Sequence, residues 1–281
     1  MKESLLEQFR IFCSNNSFKT LEDSLMYFSV FSGFKEKIDT SKPLNVLIEE
    51  LIFKDYRYIL KGINDLTTGD NLFHFVLSGG ALGDSQTHTA FKRAKVSAND
   101  GEAIVKELVK LGVISLSYPI SINNQKNDVS AKINFKSPFI RFWFAFVSPL
   151  YQGIKNGDFT EVKKSLSNKL DEFIAFNFKQ LSRDLIAEKF SEYIVKVGSY
   201  WNGEIELDIV GVTKENEYIV GECKFANSKI KKSVVTNILE KSQKLSISPK
   251  VCIVVAKKGF SSELKSLKGD GLKLFSLKHL A

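Results

Sequence analysis

The sequence predicts a mixed α/β protein in which a helical N-terminal half precedes an α-β-β-β-α-β half. Apolar residues recur three and four positions apart through most of residues 1–118, which is typical of amphipathic helices. From residue 193 onward, short runs rich in β-branched residues alternate with helical segments. The 281 residues, 43% of them hydrophobic and 26% charged, are sufficient for a globular protein with a sizeable core.

The first predicted unit, residues 1–60, is an N-terminal helical region. The stretches "SLLEQFRIF" and "LEDSLMYFSVFSGF" have helical periodicity, and "KPLNVLIEELIFKDYRYIL" follows a proline at a plausible helix start.

The second predicted unit, residues 61–135, has the order helix, turn, helix, helix and then a β-rich end, which resembles a winged helix-turn-helix. Its second helix carries small polar and basic side chains that could reach DNA bases and phosphates. The exposed set is predicted to be Ser85, Gln86, Thr87, His88, Lys92, Arg93 and Lys95. An ordinary three-helix packing unit and a protein-docking module stay open as alternatives. His74 and His88 have no Cys nearby at ligand spacing, which argues against zinc.

The polar loop "SINNQKNDVS", residues 121–130, is a predicted boundary. Residues 136–165 then form an apolar connector. Its most hydrophobic segment, "FIRFWFAFVSPL", is too short to cross a bilayer and contains Arg141. In the remaining unit, residues 166–281, we expect a long helix over about 167–190 and helices near 230–246 and 261–267. Strands are expected at "YIVKVG", on both sides of the turn "TKENE", at "KVCIVVA" and at "LKLFSL".

The net charge of +8 is unevenly distributed. Residues 1–130 hold 15 Lys and Arg against 16 Asp and Glu, whereas residues 131–281 hold 25 against 16. This surplus favours a polyanionic partner, although a lysine-rich surface that only maintains solubility explains it equally well. Three scattered cysteines without a CxxC pair and a start without a long apolar run predict a cytoplasmic protein with reduced thiols.

The hairpin "EIELDIVGVTKENEYIVGECKF", residues 204–225, carries charged residues in both strands. If the turn is centred on Glu215, residues whose numbers sum to 430 lie opposite each other. Asp208 then faces Glu222, and Glu206 faces Lys224, on one side of the sheet. This register requires an odd number of loop residues. A tight loop of two or four residues would shift it by one position.

Two carboxylates about 5 Å apart repel each other unless a cation lies between them, and Mg²⁺ prefers such oxygen ligands. We therefore expect the Asp208 and Glu222 carboxylates within about 6 Å of each other, sharing one Mg²⁺ or Mn²⁺. Lys224 would orient a water or stabilise charge on a phosphate. The alternative is a solvated sheet face with a Glu206–Lys224 pair. Carboxylates on opposite faces of the sheet would not share an ion.

The charged residues of this hairpin resemble the signature of a known protein family. Asp208 followed by Glu222-Cys223-Lys224, in an αβββαβ order, is similar to the signature of the PD-(D/E)XK nuclease superfamily. The stretches "PFIRFWFAFVSPL", "VGSYWNGEIELDIVG" and "GECKFA" resemble the uncharacterised C-terminal region of many archaeal-type AAA ATPases. The resemblance implies a restriction-endonuclease-like domain with a mixed sheet after a winged-helix region. It also implies Asp208, Glu222 and the Cys223 carbonyl as metal ligands and Lys224 as the catalytic lysine.

The sequence departs from that family twice. It has no G-x-x-x-x-G-K-[ST] motif, so the ATPase module is absent and a separate ATPase is a possible partner. The acid that related folds often place on the first helix is replaced by Lys179, with Glu172 as the nearest acidic residue. We expect one of these two, as well as Lys224, to point towards the site.

The sequence therefore predicts a DNA-binding, Mg²⁺-dependent phosphodiesterase that does not reside in a membrane. Two alternatives remain open. One is a non-catalytic DNA-binding regulator of nuclease-like fold, and the other is a protein-interaction module such as a toxin or antitoxin partner. A homo-oligomer is compatible with all of these functions.

Overall fold

The fold is taken from a computed structural model that describes residues 4–123 and 129–281. Part of the predicted boundary loop at 121–130 thus lies outside the described residues. The described chain is mixed α and β, with a helical N-terminal region and a C-terminal five-stranded mixed sheet, in agreement with the predicted class.

Helices make up the N-terminal region. They are α1 (Leu5–Asn15), α2 (Leu21–Phe31), α3 (Leu44–Ile48), α4 (Tyr56–Leu66), α5 (Asn71–Gly80), α6 (Thr87–Ala94) and α7 (Ala98–Lys110). Capping boxes at Ser4 and Thr20 explain where the first two helices begin, because each side chain accepts the backbone N–H three residues on. A π-helical segment, Glu49–Phe53, continues α3.

A short antiparallel sheet follows the third helix of the predicted winged unit. Strand β1 (Ile114–Ser117) pairs with β2 (Lys132–Phe135). The segment between α5 and α6 joins this sheet, since Gln86 bridges Lys132 and the Ile133 N–H donates to the Ser85 carbonyl at 2.8 Å. Ser85 is only 1% exposed, so its predicted place in the exposed set is wrong.

The predicted connector is a buried, aromatic stretch of helical turns. It comprises α8 (Pro138–Phe142), a π-helical segment (Trp143–Val147), a 3-10 turn (Ser148–Leu150) and α9 (Tyr151–Lys155). Arg141 is 2% exposed and lies over the rings of Phe173 and Phe176, at 4.4 and 3.9 Å from their centroids. Its Nη1 donates to the Phe173 carbonyl at 2.9 Å, which ties the connector to the next helix. No helix within the described ranges is long and apolar enough to cross a membrane.

The C-terminal half follows the predicted order. Its elements are α10 (Thr160–Lys189), β3 (Ile194–Trp201), β4 (Glu206–Thr213), β5 (Tyr218–Lys224), α11 (Ser233–Lys244), β6 (Pro249–Ala256), α12 (Ser262–Ser266) and β7 (Leu272–Ser276). The strands lie in sequence order, with β3–β4 and β4–β5 antiparallel and β5–β6 and β6–β7 parallel.

Two hydrophobic clusters pack against this sheet, one on each face. On one face Ile209 and Cys223 join a cluster that includes α10 and extends to the N-terminal helices. On the other face Leu207 and Val210 join the cluster that contains Ile238 of α11. The sheet therefore separates the α10 side from the α11 side.

The hairpin has the predicted register. Ile209 pairs with Gly221 and Val212 with Tyr218, so paired numbers sum to 430. The Thr213 N–H donates to the Glu217 carbonyl at 2.9 Å, which leaves a three-residue turn centred on Glu215. Asn216 closes this turn with φ of 61°, a left-handed conformation that asparagine tolerates.

A β-bulge lies at the position of Asp208. Strand β3 pairs Gly198 with Val210 but Tyr200 with Leu207, so Asp208 and Ile209 together oppose one residue. A bulge re-aims side chains and breaks the alternation along the strand. As a result, Leu207 and Ile209 pack on different sides of the sheet.

Candidate functional site: a lysine-rich carboxylate centre

The Asp208 carboxylate is buried on the α10 side and both of its oxygens have partners. Its Oδ1 lies 2.6 Å from Lys179 Nζ, and its Oδ2 accepts the Cys223 N–H at 2.9 Å. Arg183, one helical turn after Lys179, donates to the Asp208 carbonyl at 3.3 Å. Lys179 thus points towards the site, as expected from the sequence.

The Glu222 carboxylate is equally buried and is also bound through both oxygens. Lys224 Nζ lies 2.8 Å from Oε2, and Lys241 Nζ lies 2.5 Å from Oε1. Lys241 belongs to α11, and its ammonium also donates to the Glu206 carbonyl at 2.8 Å. The partners of Glu222 therefore come from its own strand and from the α11 side of the sheet.

The expectation that Asp208 and Glu222 face each other on one side of the sheet is wrong in this arrangement. The hairpin register is the predicted one, but the bulge turns the Asp208 side chain towards α10. Glu222 projects from an unbulged strand towards α11. The two carboxylates are bound from opposite layers.

Glu206 also has a different partner from the expected one. It pairs with Lys132 of β2, with Nζ and Oε1 2.8 Å apart, and not with Lys224. The Lys132 ammonium in addition lies 4.5 Å from the centre of the Trp201 ring. A cavity of about 260 Å³ beside this pair is lined by Lys132, Lys179, Arg183, Glu206 and Glu172. Glu172 thus borders the neighbouring cleft, whereas Lys179 contacts the Asp208 carboxylate.

Electrostatics keep the Lys179 ammonium charged. Burial opposes its charged form, but the adjacent Asp208 carboxylate outweighs that effect, so the pKa of Lys179 is raised. Burial, reinforced by Asp208, also raises the pKa of the Cys223 thiol well above its ordinary value. Cys223 therefore carries a neutral thiol, and its backbone N–H binds the Asp208 carboxylate. We call Asp208, Glu222 and the cations that contact them the carboxylate centre.

A divalent ion does not fit this donor set as it stands. Each of the four carboxylate oxygens already accepts a hydrogen bond from an ammonium or a backbone N–H, and the two side chains lie on opposite layers. The Lys179 ammonium, 2.6 Å from Asp208 Oδ1, already supplies the positive charge that an ion at this oxygen would bring. Among residues 4–123 and 129–281, no group of three or more His, Cys, Asp or Glu is arranged to hold a metal.

The residues predicted to contact DNA on α6 have mixed roles. His88, Lys92 and Lys95 are exposed, whereas Gln86 and Thr87 are half-buried next to β2. Arg93 Nη1 donates to the carbonyls of Gly79 and Leu82 at 2.9 and 2.7 Å, which satisfies the C-terminal end of α5. The free basic face of α6 is therefore smaller than the sequence suggested.

Three cations that contact the acidic residues of the site escaped the sequence analysis: Lys132, Arg183 and Lys241. Two of them carried a signal in the helix periodicity. Lys241 follows the buried Ile238 by three positions, and Arg183 follows Lys179 by four, so each lies on the inward stripe of its helix. A basic residue on an inward stripe predicts a buried partner of opposite charge.

Comparison with known proteins adds a family match and a distant structural neighbour. A family model named DUF234, described as "Archaea bacterial proteins of unknown function", matches residues 143–237. That segment contains Asp208, Glu222 and Lys224. The chain is also similar to the crystal structure of protein VC1899 from Vibrio cholerae, with 12% identity and a TM-score of 0.27. The alignment covers 99% of this chain and 58% of that one. No curated protein matches.

Proposed function

We propose that this protein binds nucleic acid without cutting it, through a C-terminal domain of nuclease-like architecture. The observation that carries this proposal is the cation excess around the two buried carboxylates. Lys179, Arg183, Lys224 and Lys241 all contact Asp208 or Glu222, so four cations surround two anions. On each layer of the sheet two cations contact one carboxylate, so each side attracts phosphate, while the carboxylate oxygens are engaged by the protein itself.

Two further features support nucleic acid as the partner. The C-terminal half carries the basic surplus of the chain. In addition, α5, α6 and α7 followed by β1 and β2 have the element order of a winged helix, with the segment before α6 added to the small sheet. Lys92 and Lys95 extend the basic surface of that unit.

A second candidate is Mg²⁺-dependent hydrolysis of DNA phosphodiesters. It is favoured by the bond from the Cys223 N–H to Asp208, which keeps that carboxylate beside the strand that carries Glu222 and Lys224. The opposite layers of the two carboxylates count against this candidate, because an ion could bind only one of them, and the Lys179 or the Lys241 ammonium would then have to move away. The α-β-β-β-α-β order is compatible with both candidates.

Incubation with plasmid and single-stranded DNA in EDTA, Mg²⁺ or Mn²⁺, followed by native and denaturing gels, separates the two candidates. The proposal predicts a mobility shift in all three conditions and intact DNA on the denaturing gel. Metal-dependent cutting that is lost in Asp208→Asn and in Glu222→Gln would establish the second candidate instead. Cutting that persists in both variants would indicate a contaminating nuclease.

A further inference from the structure

A second basic surface lies apart from the carboxylate centre, in a concavity of about 570 Å³ at one end of the sheet. We name it the lysine concavity and define it by its basic residues: Lys229, Lys257, Lys258, Lys265, Lys268, Lys278 and His279. No Asp or Glu is among the described residues that line it. Its walls come from the loops after β5 and β6, from α12 and its following loop, and from the end of β7.

This position is set by the topology of the sheet. Strands β5, β6 and β7 are parallel, so their carboxyl ends meet at one edge. Loops beyond the carboxyl ends of parallel strands are the usual place for ligands in open α/β sheets. Lys257 and Lys258 directly follow β6, and Lys278 follows β7 by two positions.

Most of these lysines lack an anionic partner among residues 4–123 and 129–281. Lys258 pairs with Glu22, and Lys257 binds the Asn227 side chain and lies over the Phe225 ring. The other four are exposed, and within the part of the chain that the structure describes none of them has an ion pair. These four are Lys229, Lys265, Lys268 and Lys278. Like charges that converge on a concave surface repel one another and concentrate anions from solution.

We propose that the lysine concavity binds the phosphodiester backbone of nucleic acid. This inference rests on the proposed function and names a contact surface for it on the C-terminal domain. The chemistry is that of phosphate contacts and not of base recognition. Phe260, the phenylalanine in the lining, is 7% exposed and offers no face for a base to stack on.

The concavity is continuous with the strand that carries the carboxylate centre. The Lys257 N–H donates to the Lys224 carbonyl at 3.0 Å, so the loop that forms one wall is fixed to the end of β5. The concavity thus adjoins the end of the strand that carries Glu222 and Lys224. In the proposal it adds phosphate contacts beyond those of the centre.

The test compares two triple variants with the same change in net charge. The first is Lys229→Gln, Lys268→Gln and Lys278→Gln, in the concavity. The matched control is Lys155→Gln, Lys164→Gln and Lys169→Gln. These three lysines are exposed, the first on α9 and the other two in the first half of α10. Affinity for a labelled 20-nucleotide DNA, single-stranded and duplex, is measured by fluorescence anisotropy from low to physiological salt. Inorganic tripolyphosphate is titrated separately.

The proposal predicts that the concavity variant binds DNA about tenfold or more weakly and has a salt slope shallower by about 2, while the control stays near wild type. If wild type binds DNA and both triple variants bind it equally well, the concavity proposal is wrong and the proposed function stands. If the concavity variant loses only tripolyphosphate affinity, the concavity is a small-anion site and the proposal is also wrong. If wild type itself does not bind DNA, the proposed function fails and this inference fails with it.

Discussion

At the scale of single residues, the ion pair between Lys179 and Asp208 defines the chemistry of the centre. An ammonium lies where the family resemblance expects an acid, and it neutralises a carboxylate whose side chain is 5% exposed. Lys241 and Lys224 do the same for Glu222 from the other layer. Removing one member of such a pair leaves a buried charge without compensation, which destabilises a fold more than removing both.

A double-mutant cycle measures the interaction free energy between Lys179 and Asp208. Lys179→Met is expected to lower the free energy of unfolding by about 2 kcal/mol, less than for a fully buried pair because Lys179 is partly exposed. Asp208→Asn keeps an acceptor for the Cys223 N–H and removes only the charge. In urea unfolding the double variant should lose less stability than the two single variants combined, with a coupling of about 1–2 kcal/mol. Additive losses would show that the pair is not formed in solution.

The stability that this pair contributes should depend on pH, because the pKa of Lys179 is raised in the folded protein. A lysine whose pKa is higher in the folded state contributes stability that is complete below its unfolded value and is lost as the pH rises through the folded value. The difference in unfolding free energy between wild type and Lys179→Met should therefore be constant from pH 7 to 9. It should shrink only above about pH 10.5, the ordinary value. A difference that already disappears near pH 8 would contradict the pair.

At the scale of elements, the hairpin register was predictable from the sequence and the bulge was not. The alternation of side chains and the polar turn around Glu215 determine which residues pair across β4 and β5. The bulge at Asp208 depends on how β3 pairs with β4, a contact that the hairpin sequence does not encode by itself. Lys132 and Lys241 reach the centre from β2 and α11, so their partners become identifiable only when distant elements are assembled.

The close contact between α5 and α6 predicts how a substitution at Gly79 changes the stability of the protein. A Cβ on Gly79 would lie 2.5 Å from the Ala90 carbonyl oxygen and 3.1 Å from its Cα, so Gly79→Ala must push α6 away. We expect a loss of about 1–3 kcal/mol in unfolding free energy, measured with urea. A Cβ on Gly62 of α4 has no atom within 4 Å, so Gly62→Ala should stabilise the protein by about 0.5–1 kcal/mol. Equal effects of the two substitutions would show that α5 and α6 are not in close contact.

At the scale of the whole molecule, the proposed function draws on two groups of cations in the basic C-terminal half. One is the carboxylate centre, where ammonium groups outnumber carboxylates, and the other is the lysine concavity beyond the end of β5. Binding that depends on such cations is dominated by counterion release, because each phosphate contact frees condensed cations from the nucleic acid. Its strength should therefore fall steeply as salt rises.

The central claim is that the protein binds nucleic acid through cations that occupy its two buried carboxylates. The sign of the Mg²⁺ effect on DNA affinity tests this claim most directly. Fluorescence anisotropy of a labelled duplex is measured in EDTA and again with millimolar Mg²⁺ at constant ionic strength. If ammonium groups occupy the carboxylates, the protein binds in EDTA with a dissociation constant on the order of 1–100 μM at physiological salt, and Mg²⁺ weakens binding by competing for phosphates. Binding that requires Mg²⁺, or that Mg²⁺ strengthens in wild type and not in Asp208→Asn, would contradict the account.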